Sequence, residues 1–507
     1  MQSSRTWRSL VFSDMGILIL LSLARFIPLF ITNGQSGWHR DELDMLDNAR
    51  YLDWGFVSYP PVAALIARLA LTIFGPSLTG VRFFSTLAMA IAMLLAGLMA
   101  REFGGRRWAQ VAAAVAVGVA PFPMMGGGIF SYSSFDFLWW VLIAYLMARL
   151  LKSEDARWWL AIGAAIGVGL MTKYTLAYLV VGLVAGVILT PARRYLKSPW
   201  LWGGVGLALL IVLPNLIWQV QHDFITLDFL RSIHARDIRI GRTDAFLVEQ
   251  LIFAANPLTI PLWLLGLYFY FFAPIGRRFR PLGWMFLIPL ALLLYTKGRS
   301  YYFAPAYPMM LAGGAVIVEG WLSALPQRRA RILQGVVLGA FVVSGIIFAP
   351  LALPIARVNS PLWDFVSEIN NELKEEIGWP EMVETVAGIY ASLPANEKPH
   401  TGILAGNYGE AGAINLYGPA YGLPEAISGS NTYWLRGYGN PPPETLILLG
   451  LMPGEANHNF KSCKIAGKIT NRYKVWNEET TDHPTILLCS GLRRPWVEIW
   501  DYLQEYQ

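Results

Sequence analysis

HRDELDML, residues 39–46, places a histidine, an arginine and three carboxylates directly after the first long apolar segment, and Tyr59-Pro60-Pro61 follows shortly after. The abrupt change from apolar to charged sequence decides the fold class, because it marks a membrane span ending in a polar loop. Composition agrees. Of 507 residues 55% are hydrophobic and 15% charged, with mean hydropathy +0.43, whereas an ordinary soluble domain carries roughly 25% charged residues. A span needs about 20 predominantly apolar residues. Eleven segments qualify: 11–31, 79–100, 108–124, 135–151, 157–171, 174–190, 200–219, 246–272, 282–296, 302–321 and 332–353. The expected architecture is an α-helical polytopic membrane protein of about eleven transmembrane helices.

Alternate loops carry the positive charge that marks a cytoplasmic side. One side collects Arg5 and Arg8, Arg101, Arg106 and Arg107, Lys152 and Arg157, Arg193, Arg194 and Lys197, Arg277, Arg278 and Arg280, then Arg328, Arg329 and Arg331. The N-terminus is therefore expected inside. With an odd span count, the loop bearing Asp41 and everything after about residue 356 are expected outside. The first apolar run is long and lacks a small-residue cleavage site, so no cleaved signal peptide is expected.

Near Arg357 the chain changes character. The remainder holds 11 basic and 18 acidic residues, leaving +13 of the overall +6 balance to the preceding part. Orientation and contact with anionic headgroups account for that basic excess, and nothing in it calls for nucleic acid. Two domains follow: residues 1–356 in the membrane, with the first external loop at 32–78, and a soluble α/β domain at 357–507. In the latter, 401–404, 445–449 and 485–489 read as buried strands and 362–390 as one or two helices. Cys463 and Cys489 both fall there; an exported domain permits a disulfide, and two buried thiols fit the sequence equally well. The glycine-rich 406–418 stretch, GNYGEAGAINLYG, matches neither nucleotide-binding fingerprint, so it reads as turns and close packing, with no nucleotide cofactor.

Ionisable residues at membrane depth are costly and mark function. On the expected outer side lie His39, Arg40, Asp41, Glu42, Asp44 and Asp47, then Asp136, Lys173, Lys297 and Arg299. Each has a plainer reading. Lys173 and Lys297 suit snorkelling helix ends, Tyr295, Tyr301 and Tyr302 an aromatic belt, and Asp136 a helix cap. After Asp41, the spacing of Leu43, Leu46, Ala49, Tyr51 and Leu52 predicts a helix lying on the membrane. Pro60-Pro61 holds Tyr59 extended and opens a second apolar helix containing Arg68.

Acids and cations gathered at one face suit sugar transfer from a lipid phosphate. A carboxylate takes the proton of the attacking hydroxyl, while Lys and Arg stabilise the departing phosphate. One carboxylate base implies a single displacement with inversion, unlike the carboxylate pair of a glycosidase.

HRDELDMLDNARYLDWGFVSYPPVAALIARLALTIFG, the Asp136 loop, GLMTKYTLAYL, LPNLIWQVQHDF and KGRSYYFAPAYP together resemble the class C glycosyltransferases related to protein O-mannosyltransferases. The resemblance is especially to their bacterial relatives, which include the lipid A aminoarabinose and lipopolysaccharide galacturonic acid transferases. The resemblance covers roughly residues 10–350. It implies a polyprenyl-phosphate sugar donor, an envelope glycolipid or protein acceptor, and a bacterial inner-membrane enzyme with its site toward the periplasm. It also implies that Asp41 is the catalytic carboxylate with Glu42 beside it, and that Asp136, the second-loop carboxylate, joins Asp41 in holding a divalent metal in some members. Lys173, Lys297 and Arg299 are then candidates for the donor phosphate, with Tyr59, Tyr301 and Tyr302 lining the cleft. The chain departs from the aminoarabinose branch at Ser58-Tyr59, where that branch has an acidic-basic pair. The rival class is a transporter or lipid flippase, whose usual sequence mark, two similar halves with interrupted helices, is not evident. A membrane anchor serving the tail leaves the charges unexplained.

Overall fold

The computed structural model describes residues 13–507; Arg5, Arg8 and the start of the 11–31 segment lie outside the described residues. The chain forms two compact units. One gathers the residues up to Asn33 with Arg82–Gln221 and His234–Ile355; the other gathers Gly34–Val81, His222–Ile233 and Ala356–Gln507. The 32–78 segment, assigned from sequence to the membrane domain, thus belongs by compactness with the C-terminal residues.

The expected apolar segments are helical, and they divide by length and bending. Seven helices are long and apolar enough to cross a membrane: Asp14–Thr32, Leu78–Glu102, Tyr132–Ser153, Pro199–Gln221, Pro274–Tyr295, Ser300–Ser323 and Gln327–Ala352. Three more segments are pairs broken by bends of 61°, 100° and 93°, giving up to ten if each pair is one span. The eleventh, Trp158–Leu170, has 13 residues, about 20 Å of helix against a hydrocarbon core of about 30 Å. The chain is a multi-span membrane protein, and an orientation argument resting on an odd count loses that support.

Lipid offers no hydrophobic drive between helices, so membrane interfaces depend on close approach of small residues. Gly163 shows this. A Cβ there would lie 2.1 Å from the Gly204 carbonyl oxygen, so Trp158–Leu170 and Pro199–Gln221 touch backbone to backbone.

The second unit is built on a five-stranded sheet ordered β2-β1-β3-β5-β4: β1 (Thr401–Ala405), β2 (Ala426–Ser428), β3 (Thr445–Leu448), β4 (Phe460–Lys468) and β5 (Thr485–Leu492). β1 pairs parallel with β2 and β3, whereas β5 pairs antiparallel with β3 and β4. Every residue of β1 is buried. The core beneath it includes Leu446, Leu448, Leu487, Phe460, Trp496 and Trp500. β2 and β4 escaped sequence reading, because β4 is an edge strand with mostly exposed or half-exposed residues and no clean alternation. The 362–390 segment is three helices, Pro361–Ile369, Glu372–Glu375 and Trp379–Ala391, not one or two. Cys463 and Cys489 stand opposite one another in β4 and β5 and are disulfide-bonded.

The expected membrane-surface helix after Asp41 is also corrected. Arg40–Asn48 is helical, but Leu43, Leu46 and Ala49 are at most 3% exposed. Their cover includes the helix Tyr408–Tyr417, whose Gly412 would bring a Cβ within 2.8 Å of the Leu43 backbone and side chain. Leu43, Leu46 and Ala49 are thus buried in protein, while Tyr51 and Leu52, beyond the helix, stay exposed.

Candidate active site

The Asp41 helix begins with a capping box. Glu42 Oε2 accepts the backbone N–H of His39 at 2.9 Å, and His39 Nδ1 accepts the N–H of Asp41 at 3.2 Å. These bonds satisfy donors that a helix start leaves unpaired. Accepting at Nδ1 leaves the ring proton on Nε2, 2.7 Å from Glu372 Oε2. Glu42 is wholly buried and serves this cap. Asp41, one residue earlier, is half-buried, and its Oδ1 accepts the Tyr408 hydroxyl at 2.9 Å. Tyr59, expected to line a cleft, is 2% exposed, and its hydroxyl accepts from Asn48 Nδ2 at 2.7 Å; it braces the loop from within.

Two arginines tie this helix to the rest of its unit. Arg40 donates from Nη1 to Glu478 Oε2 at 2.6 Å and from Nη2 to Glu479 Oε1 at 3.3 Å. Arg436 pairs with Asp47 and donates to Asn48 Oδ1 at 2.5 Å. Between them runs the glycine-rich stretch. Asn407 and Glu410 form a second capping box, while Gly409 and Gly412 leave room for Arg40 and Leu43. The motif at 406–418 is therefore a packing face for the Asp41 helix, and Tyr408, Arg436 and Glu410 are site-supporting residues that sequence reading did not single out. The glycine spacing was the available signal.

Burial holds three carboxyls of this unit above the ordinary range. Asp44 is pushed up to about 7, with Asp41 and Asp47 adding to the effect against Arg436. Glu375 reaches about 7, with Glu479 adding, and Glu410 about 8, with Glu479 again adding and the Gly406 and Asn407 amides opposing. A carboxyl whose folded pKa exceeds its unfolded value binds more protons when folded, so its contribution to stability declines as pH rises between the two. The window here runs from about pH 4 to 8. Amides of 401–417 in intact protein are expected to show weaker protection from hydrogen exchange at pH 8 than at about pH 6, after correction for intrinsic exchange rates. Stronger protection at the higher pH would contradict this sign.

Within the first unit, Lys173 lies in a cage of aromatic rings. Its Nζ is 4.5 Å from the Tyr302 centroid, 4.7 Å from Tyr301 and 5.2 Å from Tyr132, and it donates to Ser133 Oγ at 2.9 Å. Lys173 is 7% exposed, with its ammonium held among ring faces. Asp136, 2% exposed, accepts from Thr175 Oγ1 at 3.0 Å through Oδ2. Arg299 makes a bidentate pair with Asp237 at 2.5 and 3.0 Å and reaches the Tyr301 hydroxyl at 3.3 Å. Asp237, unmarked by any motif, neutralises the guanidinium. Lys297 is exposed, sits at φ 50° in a turn, and takes no part in the lysine–tyrosine cluster among the described residues. The nine candidates thus fall into two groups: Asp41, Glu42 and Tyr59 in one unit, and Asp136, Lys173, Lys297, Arg299, Tyr301 and Tyr302 in the other.

The metal expectation on Asp41 and Asp136 finds little to rest on. Asp136 Oδ1 is buried with no hydrogen-bond partner, the kind of atom that a cation would satisfy. Yet among the described residues no three His, Cys, Asp or Glu side chains form a group able to hold an ion.

Comparison with known proteins identifies the fold. A family model described as dolichyl-phosphate-mannose-protein mannosyltransferase matches residues 58–218, a range that takes in Tyr59, Asp136 and Lys173 and begins after Asp41. The chain superposes on crystalline ArnT from Cupriavidus metallidurans bound to undecaprenyl phosphate with a TM-score of 0.55 and 14% identity, over 94% of this chain and 98% of that one. The chain thus shares the fold of that ArnT, and its residues 58–218 are similar to the mannosyltransferase family. Among curated relatives, lipid A galacturonosyltransferase RgtD of Rhizobium johnstonii is 25% identical over 43% of this chain and 46% of its own length. The undecaprenyl phosphate-alpha-4-amino-4-deoxy-L-arabinose arabinosyl transferase of Pseudomonas aeruginosa is 31% identical over 53% and 51%. The chain spans about half the length of these curated relatives.

Proposed function

We infer that the chain is a class C glycosyltransferase, which moves a sugar from a polyprenyl-phosphate donor to an envelope acceptor, a lipopolysaccharide or lipid A in preference to a protein, at the bacterial inner membrane. The N-terminus is cytoplasmic and the second unit periplasmic in this reading. The observation that carries it is the Asp41 carboxylate, half-buried at the first turn of a capped helix, in a chain whose fold matches an ArnT bound to undecaprenyl phosphate. Asp41 takes the proton of the acceptor hydroxyl as that oxygen bonds to the anomeric carbon. The bond from that carbon to the phosphate oxygen breaks, and polyprenyl phosphate leaves with the electron pair. Lys173 supplies positive charge to the phosphate. Arg299, already paired with Asp237, is a weaker candidate for that task.

The test is mass spectrometry of envelope glycolipids from a deletion strain with and without the wild-type gene. A sugar absent from the deletion and restored by the gene identifies the product; unchanged glycans in both strains would return weight to the transporter reading. A single displacement further requires the new glycosidic bond to carry the anomeric configuration opposite to that of the donor. NMR of the isolated product reads it directly, and a retained configuration would exclude Asp41 as a lone base.

A further inference from the structure

We propose that the C-terminal sheet domain is a working part of the Asp41 site, and that Tyr408 is a positioning residue that orients the carboxylate for proton transfer. This rests on the reading of Asp41 as the base. The domain's contact with Asp41 is specific, one side chain to one carboxylate oxygen.

Asp41 and Tyr408 are 367 residues apart in sequence, yet the tyrosine hydroxyl donates to Asp41 Oδ1 at 2.9 Å. That bond leaves Asp41 Oδ2 as the oxygen to take a proton, and it fixes the rotation of the carboxylate about its last torsion, otherwise broad and soft. The tyrosine is itself held. It is the first residue of the helix Tyr408–Tyr417, capped by Asn407 and Glu410, and its ring lies 5.4 Å from the Arg40 guanidinium carbon. Gly409 and Gly412 set the distance: a Cβ on the first would lie 2.9 Å from Arg40 Cβ, and on the second 2.8 Å from Leu43. Close approach of the two helices, which those glycines permit, is what lets a tyrosine side chain reach Asp41. A general base must stand within hydrogen-bond reach of its proton in a narrow geometry, and displacements of about 1 Å can cost about 10²-fold in rate.

Removing residues 357–507 would not isolate this role, because it would strip the cover from Leu43 and Leu46. The informative variant is Tyr408→Phe, which deletes one oxygen, alongside Tyr408→p-aminophenylalanine, which restores a donor on the same ring. Purified full-length protein is assayed with undecaprenyl phosphate carrying the sugar that the deletion strain lacks, and Asp41→Asn is run in parallel. The expected result for Tyr408→Phe is a kcat lower by about 10- to 100-fold, with KM for that donor within about twofold and an unchanged melting temperature. The amino variant recovers most of the rate. A wild-type kcat in Tyr408→Phe, or a loss that tracks a lowered melting temperature, would overturn the positioning role while leaving Asp41 as base. An active Asp41→Asn protein would instead remove the base reading, and the proposal with it.

Discussion

Asp41→Asn is expected to lower the rate of sugar transfer by about 10²- to 10⁴-fold, the range that a positioned general base contributes. The substitution is nearly isosteric. An asparagine oxygen can still accept the Tyr408 hydroxyl, and the His39–Glu42 cap does not involve the Asp41 side chain. The helix and its packing on Gly412 should therefore persist, so the loss reports chemistry and not folding. The check is the rate at which the missing envelope sugar reappears after induction in the deletion strain, with wild-type and variant protein matched by immunoblot. Restoration within about tenfold of wild type would remove Asp41 from the role of base.

The second large effect is expected at Lys173. Lys173→Met keeps an unbranched chain of similar length among Tyr132, Tyr301 and Tyr302 but removes the charge proposed to stabilise the leaving phosphate. A loss of about 10²- to 10³-fold in kcat is expected from deleting such a group in a water-poor site. Stability should move the other way or not at all, because burying an ammonium is costly and a well-packed apolar replacement is often neutral or stabilising. Lys173→Arg, which keeps the charge, should retain more activity than Lys173→Met. The measurement is kcat alongside a thermal melt of each purified variant. Full activity in Lys173→Met would leave Lys173 as a helix-end anchor, the plainer reading of its position.

Much of the scaffold was legible in the chain. Long apolar runs must become helices in lipid because only internal hydrogen bonding satisfies their backbone there, and all eleven segments are helical even though three are bent and one is short. What the runs do not encode is where a helix breaks, which depends on the neighbours that accept the freed backbone groups. The three strands of near-continuous apolar sequence were also legible. β4 was not, because its order comes from pairing with β5 and not from a buried face of its own.

The candidate site divides the same way. Residue chemistry marked Asp41, Asp136 and Lys173 among ten ionisable residues beside apolar runs, and the family resemblance gave Asp41 and Asp136 their expected roles. Residue chemistry could not separate Asp41 from Glu42, and only the family resemblance set Asp41 apart; the helix start gives a physical difference, assigning one to the cap and leaving the other half-exposed. Nor could sequence show that Arg299 is matched by Asp237, or that Tyr59 faces inward. The sequence by itself determined a multi-span membrane protein with a C-terminal sheet region and a charged loop after its first span. Only the tertiary structure decided what covers the apolar face of the Asp41 helix and which hydroxyl holds its carboxylate. Helical periodicity specifies the direction of a buried face but not the surface that buries it, and here that surface is supplied by a glycine-bearing helix more than 350 residues further along the chain.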